Sequence, residues 1–154
     1  MITQAFSSGE ELRRYCREQG ITIAEAMQRR EEHLSEMSRE EIRAEMYKNL
    51  VVMRESVYKG LSEKVESVSG LSGGEAAMLF KYGKYSPFSG TNACRAAAAA
   101  MAVVEVNASM GCIVAAPTAG ASGILPGVLI ESARERGWSD EQLVDALFEE
   151  IDKL

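Results

Sequence analysis

The feature that most constrains the fold is a stretch without charged residues, from Val106 to Ile130, in a chain that is 26% charged. It is long enough to cross a bilayer. Its central part, MGCIVAAPTAGASGILPG, holds two prolines and four glycines, and irregular backbone at these points would leave amides unsatisfied in lipid. Glutamates, not basic residues, flank it at positions 105 and 131. The sequence therefore predicts no membrane span.

Residues 117–123 (PTAGASG) are turn-forming or small, and such residues favour exposed backbone. One interpretation is a structural hairpin whose small residues let two helices pack closely. The other is a loop that presents free amides to an anion where the following helix begins. Composition alone leaves both open. A second glycine-rich loop, Ser69–Gly74, also leads into a helix, and the pair favours a polar pocket that takes a carboxylate.

Length and charge narrow the class of protein. A chain of 154 residues suits a single domain. The net charge is −6 and no basic patch is present, which argues against nucleic-acid binding. The N-terminus lacks a secretory leader, and three cysteines without CxxC spacing indicate a reducing cytoplasm. Because His33 is the only histidine, the sequence argues against a Ser-His-Asp triad or a histidine-rich metal site within this chain.

Capping-box motifs mark four helix starts, at Ser8–Glu11, Thr22–Glu25, Ser38–Glu41 and Ser139–Gln142. Gly20 and Gly137 stand where left-handed helix ends are expected.

The helix that starts after Ser38 is predicted to span Arg39–Leu61. Three further helices are predicted, at Glu75–Lys81, Asn92–Asn107 and Ile124–Arg136. The helix Arg39–Leu61 carries an apolar stripe of Ile42, Met46, Leu50, Met53 and Val57. The alanines of the helix Asn92–Asn107 favour helix formation and close packing against another helix. Cys112–Ala115 is the sole strand candidate. The predicted fold is mainly α: a multi-helix domain with glycine-rich loops and no substantial sheet.

Two segments carry a family resemblance. SGLSGGEAA (Ser69–Ala77) and MGCIVAAPTAGASGILPGVL (Met110–Leu129) resemble the α chain of iron–sulfur-dependent L-serine dehydratase, in the N-terminal half of its catalytic domain. The resemblance is strong from Val68 to Ile130. It implies elimination of water from L-serine to give pyruvate and ammonia, a [4Fe-4S] cluster, and a separate β chain or β domain as partner.

The resemblance also implies roles for residues. It assigns catalysis to Thr118 and Ser122. Cys112 is the candidate iron ligand, with plain packing of the thiol as an equal alternative. Substrate binding falls to the two loops, at Ser69, Gly70, Ser72, Gly73, Gly74, Ala119 and Gly120.

The chain also departs from the family pattern. Members are about twice as long, with further cluster cysteines downstream, so this chain alone is expected to be inactive. Many members carry cysteine where Ser122 stands, and a hydroxyl is a poor iron ligand beside a thiolate. Cys16 and Cys94 are expected to be buried thiols.

The remaining expectations concern single residues, assembly and function. Lys81 and Lys84 are expected at the surface. Arg95 is expected either to pair with Glu105 or to face the pocket, because a buried guanidinium needs a partner. The chain could also form a homo-oligomer. The alternative function is a truncated, non-catalytic helical module that binds an anion or a partner chain.

Overall fold

The structure is a computed structural model that describes residues 6–62, 65–85, 89–116 and 118–150. Within these ranges it contains seven α-helices, one 3-10 turn at Gly83–Tyr85, and no β-strand. The strand candidate Cys112–Ala115 is irregular. The mainly α prediction is confirmed. The helices are α1 (Gly9–Gln19), α2 (Ile23–Ser35), α3 (Arg39–Ser62), α4 (Glu75–Tyr82), α5 (Gly90–Ala108), α6 (Ile124–Arg136) and α7 (Asp140–Glu150).

Contacts within the chain define two compact units, which are described separately. The first unit comprises Met1–Lys48 and Asp140–Leu154, and the second comprises Asn49–Ser139. Helix α3 contributes residues to both. The single domain predicted from chain length stays a prediction. No described helix is long and apolar enough to cross a membrane.

The predicted helix ends follow from local capping. Thr22 accepts a hydrogen bond from the Glu25 amide at 3.1 Å. Gly20 and Gly137 end α1 and α6 in the left-handed region, with φ of 65° and 67°. In α1, however, the Glu11 carboxylate bonds Ser7 rather than the predicted Ser8.

We expect Thr22→Ala to lower the free energy of unfolding by about 1 kcal/mol, because the first turn of α2 loses the acceptor for its orphan amide. Urea denaturation followed by circular dichroism measures this. Thr22→Ser keeps the oxygen and should restore most of the loss. Equal destabilisation by both variants would show that the side-chain cap does not stabilise α2.

The first unit buries a small apolar core from α1, α2 and α7, formed by Leu12, Ala26, Met27, Leu147 and Phe148. Arg43 of α3 lies beside this core and donates to Gln28 at 3.1 Å and to Asp145 at 2.6 Å. It also pairs with Glu141. The guanidinium of Arg43 therefore links α3 to α2 through a hydrogen bond and to α7 through two ion pairs.

The second unit is built around α5, where Ala98, Ala99 and Ala102 are completely buried. Helix α6 crosses α5 closely at two glycines. A Cβ atom added to Gly123 would lie 2.2 Å from the carbonyl oxygen of Ala100, and one on Gly127 would lie 2.6 Å from the Ala100 amide nitrogen. The close helix packing that the alanines predicted is present here.

The helix boundaries match the predictions closely. Helix α6 has the predicted bounds, and α3 and α4 each extend one residue further. Helix α5 begins two residues earlier and ends one residue later than predicted. The apolar stripe of α3 is buried except for Met46, which is half-buried.

Candidate functional site

The first glycine-rich loop, Ser69–Gly74, is closed by a residue that precedes it. The Ser67 amide donates to the carbonyl of Ser72 at 2.9 Å, and the Ser67 hydroxyl accepts from the Ser72 amide at 3.2 Å. The Gly70 amide donates to the Ser67 carbonyl at 2.9 Å. Ser67 therefore fixes the loop, although the sequence analysis did not single it out.

Gly73 is the tightest point of this loop. Its φ is +141°, and a Cβ atom there would lie 1.9 Å from the carbonyl oxygen of Val65. Backbone conformation and space both restrict this position to glycine. The loop can therefore pass directly over the Val65 backbone on its way into α4.

The N-terminus of α4 is already bound to an anion, which belongs to the protein itself. Glu105 of α5 is 8% exposed, and its carboxylate accepts from the amides of Gly74 at 2.9 Å and Ala76 at 2.8 Å. A carboxylate is the group expected at this position, because free amides and the helix dipole favour negative charge. The amides that the sequence analysis assigned to a substrate carboxylate thus have an internal acceptor.

Glu75 adds a second carboxylate beside Glu105. Its Oε2 atom accepts from the Gly73 amide at 2.7 Å. The pKa of Glu75 lies below its ordinary value because the carboxylate accepts hydrogen bonds from its own backbone amide and from the Gly73 amide. Glu75 is therefore anionic at neutral pH.

The second loop leads into α6 and exposes small residues. Thr118 caps a turn: its carbonyl and its hydroxyl both accept from the Ala121 amide, at 3.1 and 3.3 Å. Ser122 is completely buried and donates to the carbonyl of Ala119 at 2.7 Å. Pro117 lies outside the described residues.

Both loops line one cavity of about 370 Å³ in the second unit. Of the predicted site residues, its described walls include Ser72 from the first loop and Gly120 from the second. The remaining described walls are Glu75, Ala100, Met101, Val104, Glu105, Ala108, Gly123 and Ile124. Both loops contribute to one cavity, but its lining is mainly apolar and not polar as predicted, and sequence reasoning missed its two glutamates.

The cysteines do not meet at this cavity. Cys112 is exposed, whereas Cys16 and Cys94 are buried, as expected. The Cys94 sulfur lies 3.1 Å from the Ser89 hydroxyl. The part of the chain that the structure describes contains no group of three or more metal-binding side chains. A cluster with one open iron needs about three thiolates, so these residues alone do not fit a [4Fe-4S] cluster.

We expect a thiol reagent such as dithionitrobenzoate to modify Cys112 rapidly and the other two cysteines only after unfolding. Burial raises the pKa of the Cys16 thiol, which further lowers its reactive thiolate fraction. Mass spectrometry of partly labelled protein identifies the modified residue. Cys112→Ser should abolish the fast phase. A fast phase that survives this substitution would contradict the burial of Cys16 and Cys94.

Arg95 does not pair with Glu105, whose carboxylate bonds the α4 amides. Its guanidinium lies over the ring of Phe80, 5.4 Å from the ring centroid. The Nε atom of Arg95 is buried and has no hydrogen-bond acceptor among the described residues. Lys81 is exposed, as expected, and the Lys84 side chain lies outside the described part of the chain.

The comparisons with known proteins agree on one family. The family profile described as "Serine dehydratase alpha chain" matches residues 18–149. The "Probable L-serine dehydratase, alpha chain" of Bacillus subtilis (strain 168) is 38% identical over 144 residues, covering 93% of this chain and 48% of the relative. The "L-serine dehydratase, alpha chain" of Peptoniphilus asaccharolyticus is 36% identical over 121 residues, covering 78% and 41%. No solved structure gave a significant match.

Proposed function

The chain belongs to the serine dehydratase alpha chain family, and we propose that it forms part of a lyase that converts L-serine into pyruvate and ammonia. It spans about half the length of the curated relatives it matches. The activity is therefore proposed for the assembled enzyme, and this chain alone is expected to be inactive.

The observation that carries the proposal is the cavity in the second unit, into which both glycine-rich loops contribute a wall. Its volume of about 370 Å³ accommodates a small amino acid together with water. Its walls are mainly apolar, with two glutamates, a serine hydroxyl and glycine backbone among them. A few polar groups in an apolar setting suit a small zwitterion whose charged ends must be oriented.

Roles for the predicted site residues follow from their surroundings. Thr118 is exposed beside the cavity-lining Gly120, and we assign it as a hydroxyl donor to the substrate carboxylate. Ser122 is fully buried and its proton is directed at the Ala119 carbonyl, so its proposed role is to hold the second loop in shape. Ser72 is the hydroxyl of the first loop that lines the cavity.

The proposed cofactor is a [4Fe-4S] cluster to which this chain contributes one thiolate, from Cys112. The exposure of that thiol supports the assignment. The remaining ligands would come from outside this chain, and a bound cluster would supply an iron that acts as a Lewis acid. We propose a β chain as partner and the cytoplasm as compartment, where cysteine thiols stay reduced.

The alternative, a non-catalytic anion-binding module, is less well supported. The α4 amides, which would be its binding site, already bind Glu105.

The proposal is tested with a full-length alpha chain carrying this sequence, co-expressed with the β chain and reconstituted anaerobically with iron and sulfide. We expect pyruvate and ammonia to form in equal amounts from L-serine. The 154-residue chain alone is the control and should form neither. A reconstituted complex that absorbs as an iron–sulfur protein yet leaves L-serine unchanged would contradict the proposal.

A further inference from the structure

The wall that the first loop presents to the cavity is negatively charged. The amides of Gly73, Gly74 and Ala76 each donate to a carboxylate oxygen of Glu75 or Glu105. A substrate carboxylate arriving there would meet the side chains of Glu75 and Glu105 in place of free amides. The first loop therefore repels the carboxylate end of a substrate.

No cation among the described residues that line the cavity balances this wall. The described lining includes no lysine, arginine or histidine. Glu105 is buried and both of its oxygens accept amides, whereas Glu75 is exposed and has an oxygen beyond the one that accepts from Gly73. A positively charged group in the cavity would thus find its best partner at Glu75.

On this basis, and resting on the proposed function, we propose that Glu75 binds the α-ammonium group of the substrate. The substrate carboxylate then lies at the wall formed by the second loop, beside Gly120. This orientation uses both charges of a zwitterion and selects amino acids over simple carboxylic acids of the same size. Glu75 is a substrate-binding residue, and Glu105 positions it by holding the start of α4.

The lowered pKa of Glu75 supports this role, because the group keeps its charge well below neutral pH.

The test compares two inhibitors that differ only in the ammonium group, L-alanine and propionate, in the assembled enzyme turning over L-serine. Wild-type enzyme should bind L-alanine about tenfold or more tightly than propionate, as expected for a charged hydrogen bond. Glu75→Gln should raise the inhibition constant for L-alanine and the KM for L-serine by about tenfold, and should leave propionate binding unchanged or tighter.

Glu66→Gln is the matched control, because Glu66 is exposed near the same loop but does not line the cavity. It should leave the ratio of the two inhibition constants at the wild-type value. Equal inhibition by L-alanine and propionate in wild-type enzyme overturns the inference even where Glu75→Gln fails to assemble. A parallel loss of affinity for both inhibitors in Glu75→Gln also overturns it. Absence of turnover of L-serine by the wild-type complex overturns instead the proposed function.

Discussion

Gly123→Ala is expected to destabilise the second unit by about 3 kcal/mol. The added Cβ atom would lie 2.2 Å from the carbonyl oxygen of Ala100 and 3.0 Å from its carbonyl carbon. Both are backbone atoms of α5, so no side-chain rotation relieves the overlap, and the two helices must move apart. Urea denaturation followed by circular dichroism measures the loss.

Gly9→Ala is the matched control for this substitution. Gly9 lies at the start of α1, and nothing lies within 4 Å of a Cβ atom built there. Alanine should leave the stability unchanged or raise it by less than about 1 kcal/mol, because alanine loses less conformational entropy on folding. If the two variants unfold at the same denaturant concentration, α5 and α6 do not cross as closely as described.

The second large effect is expected at Gly73, where alanine should lower kcat/KM of the assembled enzyme for L-serine by about 100-fold. A Cβ atom at Gly73 would lie 1.9 Å from the Val65 carbonyl oxygen, and a φ of +141° is strained for any other residue. The loop must then shift, and with it Ser72 and Glu75, which line the cavity. Steady-state production of pyruvate measures the effect.

Gly20→Ala is the control that introduces backbone strain without steric overlap. Gly20 also has a positive φ, of 65°, but nothing lies within 4 Å of its Cβ position. Alanine there should cost about 1 kcal/mol of stability and leave kcat/KM unchanged. Wild-type kcat/KM in Gly73→Ala would show that the shape of the first loop does not matter for the reaction.

Local signals explain why most of the fold could be predicted from the sequence. Helix α6 has its predicted bounds because Pro126 is compatible only with a first turn and Gly137 adopts the left-handed conformation that ends the helix. Glycine and alanine runs predicted close packing, which occurs where α6 crosses α5. Helix α2, by contrast, ends at Ser35 and is followed by the left-handed cap residue Glu36, with a φ of 58°, where no glycine indicates a helix end.

The candidate site could be predicted only in outline. Glycine-rich loops preceding helices indicated a pocket for a charged group, and both loops do line one cavity. Which anion binds the α4 amides depends on Glu105, about thirty residues further along the chain. No periodicity or local motif connects residues so far apart. Only the three-dimensional contacts show that a carboxylate of the protein itself occupies the amides of the first loop.

The central claim is that the two glycine-rich loops line one open cavity in which L-serine binds. A crystal structure of the assembled enzyme, soaked with L-serine under anaerobic conditions, tests it most directly. We predict density for the amino acid between Ser72 and Gly120, with its nitrogen toward Glu75. An amino acid bound elsewhere in an active crystal, with this cavity holding only solvent, would contradict the account.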